Sequence, residues 1–131
     1  MFTHIRTSKE NREVVAQLTR KLNLGTENII SRIALTYSLT QGIKLNLSDI
    51  KNSSGKQYTK NVLFGDYANY YIGMVALHYD VHTSDKDISK YIKMHIDDGL
   101  ELLYQEIEAN PNMDGFDFLI EKVKIGLDEL V

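Results

Sequence analysis

The chain has 131 residues, 25% of them charged and 43% hydrophobic, with a net charge of −3 and no cysteine. A chain of this size buries about two-thirds of its unfolded surface, enough for one domain without metal or disulfide staples; the lack of cysteine excludes a disulfide framework, a thiolate metal site and a cysteine nucleophile. The opening MFTHIRTSKENREVV has no signal-peptide apolar core, and no stretch approaches the roughly 18 apolar residues of a membrane span, so the expectation is a cytoplasmic protein with no membrane partner.

The small net charge hides an asymmetry. Residues 1–65 carry ten Lys and Arg against four acids, a net of +6, while residues 66–131 carry five Lys against fourteen acids, a net of −9. Such a split points to a polyanion on the basic side, with two solvated faces as the plain alternative.

In chain order, Thr3 to Thr7 alternate polar and apolar, as a short strand does, with Ile5 directed inward and His4 and Arg6 outward. Thr7 and Glu10 have capping-box spacing and Ser8 offers a second cap, which predicts a helix to about Leu22 with Val14, Val15, Leu18 and Leu22 on one stripe. Gly25 ends it, and Thr26 caps a second helix in which Ile29, Ile30, Ile33, Ala34 and Tyr37 recur until Gly42. From Ile43 to Gly65 the pattern is that of a connector or β hairpin: Asn52 to Gly55 is turn chemistry, Tyr58 to Phe64 is rich in strand formers, and Lys51, Lys56 and Lys60 surround the turn. Asp66 is placed to cap a third helix, Tyr67 to Tyr79, apolar on most sides and so expected at the centre of the core. A fourth starts at Ser84 or Asp85 and buries Ile88, Tyr91, Ile92, His95, Ile96, Leu100, Leu103 and Ile107 before Asn110-Pro111; Gly99 within it marks a close helix approach. After a turn over Asn112 to Gly115, a last helix runs to Leu130. The fold class is mainly α, a single domain over 1–131 with parts at 1–42, 43–65 and 66–131.

The order strand, helix, Gly turn, helix over Thr3 to Leu39 resembles the ribbon-helix-helix DNA-binding motif, in which two chains pair their strands into a ribbon for the major groove and the start of the second helix holds a phosphate. His4 and Arg6 would then face DNA, with Arg12, Arg20, Lys21 and Arg32 as backbone contacts that add affinity and salt dependence. Over a longer span, Ile5-Arg6-Thr7-Ser8-Lys9-Glu10-Asn11, then Ile30-Ser31-Arg32-Ile33-Ala34-Leu35 with Ser38-Leu39, then Leu63-Phe64-Gly65-Asp66-Tyr67 with Tyr71-Ile72, then His95-Ile96 with Gly99-Leu100 are similar to successive blocks of the DndE family, the small component of bacterial DNA phosphorothioation. The resemblance covers residues 2 to about 104. It implies a cytoplasmic homo-oligomer, a tetramer, that binds intact or nicked duplex DNA beside other phosphorothioation proteins and needs no cofactor of its own. The candidate DNA-contacting set is His4, Arg6, Thr7, Lys9, Arg12, Arg20, Lys21, Thr26, Arg32, Lys51, Lys56 and Lys60; the last group of three lysines enters on charge alone.

Two other readings of the residues stand beside this one. A ribbon-helix-helix regulator would read a palindromic operator as a dimer, and a metal-dependent nickase would hold its ion on Asp97, Asp98 and Glu101. His78 and His82 have the spacing of two ligands on one helix face, but the residues between them read as a turn. No phosphate-binding Gly loop and no nucleophile elbow is present, so nucleotide hydrolysis and acyl transfer have no support.

Overall fold

The computed structural model describes residues 2–129, with the side chains of Phe116 and Glu129 left out of the description. Its elements are β1 (His4–Arg6), α1 (Lys9–Lys21), α2 (Glu27–Thr40), a 3-10 turn at Leu47–Asp49, β2 (Gln57–Thr59), α3 (Lys60–Phe64), a 3-10 turn at Gly65–Tyr67, α4 (Ala68–Tyr79), α5 (Ile88–Ala109) and α6 (Gly115–Glu129). The predicted end of the last helix, Leu130, lies outside the described residues.

The strand at the N-terminus alternates as its residues require: Ile5 is 3% exposed, and His4 and Arg6 face outward. Its partner is β2 of the same chain, antiparallel, with His4 opposite Thr59, Ile5 opposite Tyr58 and Arg6 opposite Gln57. The ribbon is thus closed within one chain, where the ribbon-helix-helix motif builds it between two. Of the two forms expected for 43–65, connector or hairpin, the structure takes the connector: the one strand in it, β2, pairs with β1. The strand formers from Tyr58 onward divide: Thr59 accepts a hydrogen bond from the Val62 N–H at 3.2 Å and caps α3, which buries Leu63 and Phe64. Burial of those two side chains from a helix outweighs their strand propensity.

Ser8, rather than Thr7, caps α1, its hydroxyl accepting from the Asn11 N–H at 3.3 Å. Thr7 is fully buried and its hydroxyl accepts instead from the Lys56 N–H at 2.9 Å. The capping box therefore does not form; Glu10 accepts from the Asn52 side-chain amide at 3.3 Å. The first helix ends where Asn23 turns left-handed at φ 54°, the conformation that closes helices at this position. Thr26 has the extended backbone of an N-cap for α2 but makes no capping hydrogen bond with its side chain.

The longest helix, α5, is the centre of the core, with Ile92, Ile96 and Leu100 wholly buried. Helix α2 crosses it at Gly99, where a Cβ would stand 1.9 Å from the Ala34 carbonyl oxygen. The mid-helix glycine is there because the two backbones touch. Helix α4 was expected at the centre and is not there: Ala68, Ile72, Val75 and Ala76 are buried, while Tyr70 and Leu77 on its other side are 72% and 83% exposed. Helix α5 starts at Ile88, later than the Ser84 or Asp85 expected, because His82 to Asp87 form successive turns closed by Ser84, Asp85 and Asp87 hydrogen bonds. The last helix docks at its start, where a Cβ on Gly115 would be 2.1 Å from the Lys21 carbonyl oxygen and Phe118 is 3% exposed. Among the described residues, no helix is long and apolar enough to cross a membrane.

Candidate nucleic-acid interface

The ribbon and the start of α1 form one corner of the molecule, held from outside and from below. Outside, the segment before β2 lies against Thr7 and Ser8: the Thr7 N–H donates to the Lys56 carbonyl at 2.9 Å and the Gly55 N–H to the Thr7 carbonyl at 3.0 Å. A Cβ on Gly55 would fall 2.0 Å from the Ser8 carbonyl oxygen, so only glycine lets the loop approach this closely. Beneath, the buried Asp97 carboxylate accepts from the Ser8 N–H at 3.0 Å and the Asn11 side-chain amide at 2.8 Å through Oδ1, and from Lys93 Nζ at 2.6 Å through Oδ2. With Asp97 3% and Lys93 6% exposed, this is a desolvated ion pair whose remaining valences are filled by the first turn of α1.

At this corner Arg6, Arg12 and Lys56 surround one shallow depression of about 430 Å³, completed by Ser53, Ser54, Gly55 and Gln57. Among the described residues, no acidic side chain lines it. Arg6 is braced by Gln57, its Nε donating to Oε1 at 2.7 Å, and among the described residues the terminal nitrogens of the guanidinium make no hydrogen bond. Arg12, one turn into α1, is exposed and makes no hydrogen bond or ion pair among the described residues. Lys56 stands 5.7 Å from the Tyr58 ring centroid and 3.7 Å from a Glu27 carboxylate oxygen, a half-exposed pair of small energetic weight. Three cations, two serine hydroxyls and loop backbone converging on an open concavity form a surface suited to phosphate oxygens.

The other candidates divide. His4 shares the outward face of β1 with Arg6, and Lys9 is exposed beside it while its N–H is held by Asn52 Oδ1 at 2.8 Å. Arg20 and Lys21 lie at the far end of α1, about 12 Å along the helix from Arg12, around a different depression that also contains Glu108. Thr26 is exposed at the start of α2. Two members have internal employment. Thr7 is buried. Arg32 is half-buried and its Nε donates to the Leu63 carbonyl at 2.5 Å, clamping α2 to α3. Lys51 is exposed and paired with Glu101, a surface pair of the same kind as that of Lys56 with Glu27. Lys60 stands 5.9 Å from the Phe2 ring centroid, at the edge of the ribbon. Sequence reasoning did not find Gln57, Ser53 and Ser54 as companions of Arg6; the turn residues are visible, but their contact with a strand some fifty positions earlier is not.

The carboxylates offered for a nickase are spent within the fold. Asp97 is engaged as described, Asp98 accepts from the Ser38 hydroxyl at 2.7 Å, and Glu101 pairs with Lys51. Among the described residues no group of three or more His, Asp or Glu is arranged to hold a metal ion. His78 and His82 are separated by the left-handed Asp80 that ends α4; one contacts the Ile43 carbonyl at 2.9 Å and the other the Ser84 hydroxyl at 2.7 Å. His95 is the expected core histidine. Fully buried, it meets the Ser38 hydroxyl through Nδ1 at 2.8 Å and the Tyr79 hydroxyl through Nε2 at 2.6 Å. Because Ser38 gives its proton to Asp98, it accepts from Nδ1–H, and Nε2 accepts from Tyr79, which fixes the neutral tautomer. Burial, with the neighbouring His78 adding to it, pulls its pKa down to about 4. Burial also pushes the Tyr58 hydroxyl up to about 12; it donates to the Glu27 carbonyl at 2.9 Å, accepts from Ser31 at 2.8 Å, and so anchors β2 to α2.

No curated protein matches the sequence. The crystal structure of DndE from Escherichia coli B7A, described as involved in DNA phosphorothioation modification, has a TM-score of 0.63 with this chain at 17% identity, covering 79% of this chain and 98% of that one. That likeness is one of fold. Residues 4–111, from β1 to just past the end of α5, match the family described as DNA sulphur modification protein DndE, and α6 lies beyond the matched span. The chain belongs to the DndE family and thereby to the DNA phosphorothioation system.

Proposed function

We propose that this protein is a DNA-binding accessory component of phosphorothioate modification, a cytoplasmic homo-oligomer that holds duplex DNA, intact or nicked, while other proteins of the system carry out the replacement of a non-bridging phosphate oxygen by sulfur. The observation that carries the reading is the convergence of Arg6, Arg12 and Lys56 on one concavity that no acidic side chain lines among the described residues. The net −9 of residues 66–131 cannot face the same phosphates, so the reading gives DNA one face of each subunit and leaves the acidic helices to protein contacts. His4 and Lys9 add further phosphate contacts on the same side of the molecule, while Arg32 supports the fold that presents it.

A mobility-shift titration of intact and singly nicked 30-base-pair duplexes at two salt concentrations tests this. Binding should weaken steeply with salt, and the triple variant Arg6→Ala, Arg12→Ala, Lys56→Ala should lose affinity and flatten the salt slope by about 0.9 per cation removed. Equal binding by wild type and variant, or no shift of either duplex at low salt, overturns the reading.

A further inference from the structure

We propose that Gln57 is a positioning residue of the candidate DNA site: it holds the Arg6 guanidinium by one edge so that the other is presented to a phosphate, and, being neutral, it leaves the positive charge uncancelled. The inference rests on the DNA-binding reading above and adds to it how the cation is aimed.

Arg6 and Gln57 stand opposite each other on β1 and β2. The ladder is closed at Thr7 with Lys56 and at Thr3 with Lys60, where the Thr7 and Lys60 N–H groups each donate across the strands at 2.9 Å. Hydrogen-bonded and non-hydrogen-bonded pairs alternate along an antiparallel ladder. Arg6 and Gln57, one step in from Thr7, are therefore a non-hydrogen-bonded pair, the kind whose side chains stand closest. Both lie exposed on the outward side of the ribbon, while Ile5 and Tyr58 fill the inward side. The register alone thus brings the carboxamide to Arg6, whose Nε donates to Oε1 at 2.7 Å.

The chemistry of residue 57 separates this contact from an ordinary surface pair. A guanidinium has donors only, so the carboxamide turns its oxygen to Nε, and what Gln57 keeps for a ligand is its NH2, again a donor. Holding Nε removes rotamer freedom that a long side chain would otherwise lose on binding, and the opposite edge of the guanidinium carries two N–H bonds matched to phosphate oxygens. Glutamate at 57 would grip Nε more strongly and leave the pair without net charge for a polyanion. The surrounding sequence agrees: residues 50–65 contain no acid, and Gln57 sits between Lys56 and Lys60. Arg12 shares the depression without such a brace and serves as the control.

The test is duplex affinity and its salt dependence, with thermal melts to confirm that each variant is folded. Gln57→Ala should weaken binding about three- to tenfold with an unchanged salt slope, because the charge stays and its orientation is lost. Gln57→Glu should instead lower the slope by about 0.9, as Arg6→Ala does. In an Arg6→Ala background Gln57→Ala should add nothing, and in an Arg12→Ala background it should keep its full effect. Wild-type affinity in Gln57→Ala, or an equal loss with and without Arg6, overturns the inference and leaves the DNA reading standing; a wild type that binds no duplex overturns both. A second readout needs no DNA. The chain has four arginines, and Arg6 and Arg32 have their Nε–H groups bonded, to Gln57 and to the Leu63 carbonyl. In nitrogen-edited NMR spectra these two signals should exchange slowly with water, and Gln57→Ala should release the signal of Arg6 but not that of Arg32. An Arg6 signal untouched by Gln57→Ala overturns the brace itself.

Discussion

The corner at the start of α1 and the interface between α2 and α5 use polar residues in opposite ways. At the α2–α5 interface Ser38, His95 and Asp98, joined by Tyr79 from α4, form a relay in which the donors and acceptors are matched, and Lys93 and Asp97, buried beneath the corner, are matched in the same way. At the corner Arg12 has no internal partner among the described residues, and there Arg6 donates only through Nε, to Gln57. Burial enforces the first pattern, since an unmatched charge in the interior is costly. At the surface water satisfies the same groups, and that leaves them available to a ligand. Among the cations, location therefore separates those that hold the protein together, Lys93 and Arg32, from the exposed ones of the corner, Arg6, Arg12 and Lys56.

The contrast can be broken by experiment, and the largest effect is expected at Asp97. Asp97→Ala leaves Lys93 buried without a counter-charge and the Ser8 N–H without an acceptor, so it should cost about 3–5 kcal/mol in urea denaturation; a loss below 1 kcal/mol would mean that the carboxylate does not hold the corner. His95 should give a pH dependence of nearly the same size. Its folded pKa of about 4 lies below the unfolded value of 6.5, with Asp98 opposing the shift that burial and His78 produce. Stability is then fully present above pH 6.5 and is lost as the pH falls through 4, by on the order of 3 kcal/mol. Denaturation midpoints at pH 7, 5.5 and 4.5 should show the decline, and His95→Gln should flatten it. A slope that survives this substitution would assign the acid sensitivity to other groups. Gly99→Ala should follow, destabilising by about 1–3 kcal/mol despite the better helix propensity of alanine, because α2 and α5 must separate. A neutral or stabilising result there contradicts the backbone contact at Ala34. The smallest effect on stability belongs to the corner itself: Arg6→Ala, Arg12→Ala and Lys56→Ala should each move the midpoint by no more than about 0.5 kcal/mol. A large loss at Arg12 would place it among the structural cations.

Features written in local spacing were legible in the sequence. The stripes of α1, α2 and α5, the close approach at Gly99, the core position of His95 and the outward side of β1 all follow from period and residue type, and the structure bears them out. Features set by distant partners were not. Thr7 reads as a cap until Lys56 claims its hydroxyl, and Arg32 reads as a free cation until the Leu63 carbonyl claims its guanidinium. Asp97 reads as part of an acidic run until Ser8 and Asn11 take its oxygens. For α4, apolar residues on most sides point equally to the middle of a core and to a helix with a second, outward apolar face; composition cannot separate the two, and exposure does. Of the candidate interface, Arg6, Arg12 and Lys56 were among the residues named in advance, but their meeting depends on Gly55 passing Ser8, a contact without a local signature.

The attachment of the first eight residues also sets an order in time. Ile5 waits for Tyr58 and Ser8 waits for Asp97, so neither the ribbon nor the start of α1 can settle while the chain is short. At synthesis rates of about 5–20 residues per second, the N-terminal corner stays open for roughly five seconds or more after it leaves the ribosome. Cutting the chain after Gly42 should therefore leave a fragment lacking both partners of its own first strand and first helix. The concavity that gathers Arg6, Arg12 and Lys56 needs Gln57 for its lining and Asp97 for its support, so it cannot be complete on a nascent chain before that part of α5 has been made.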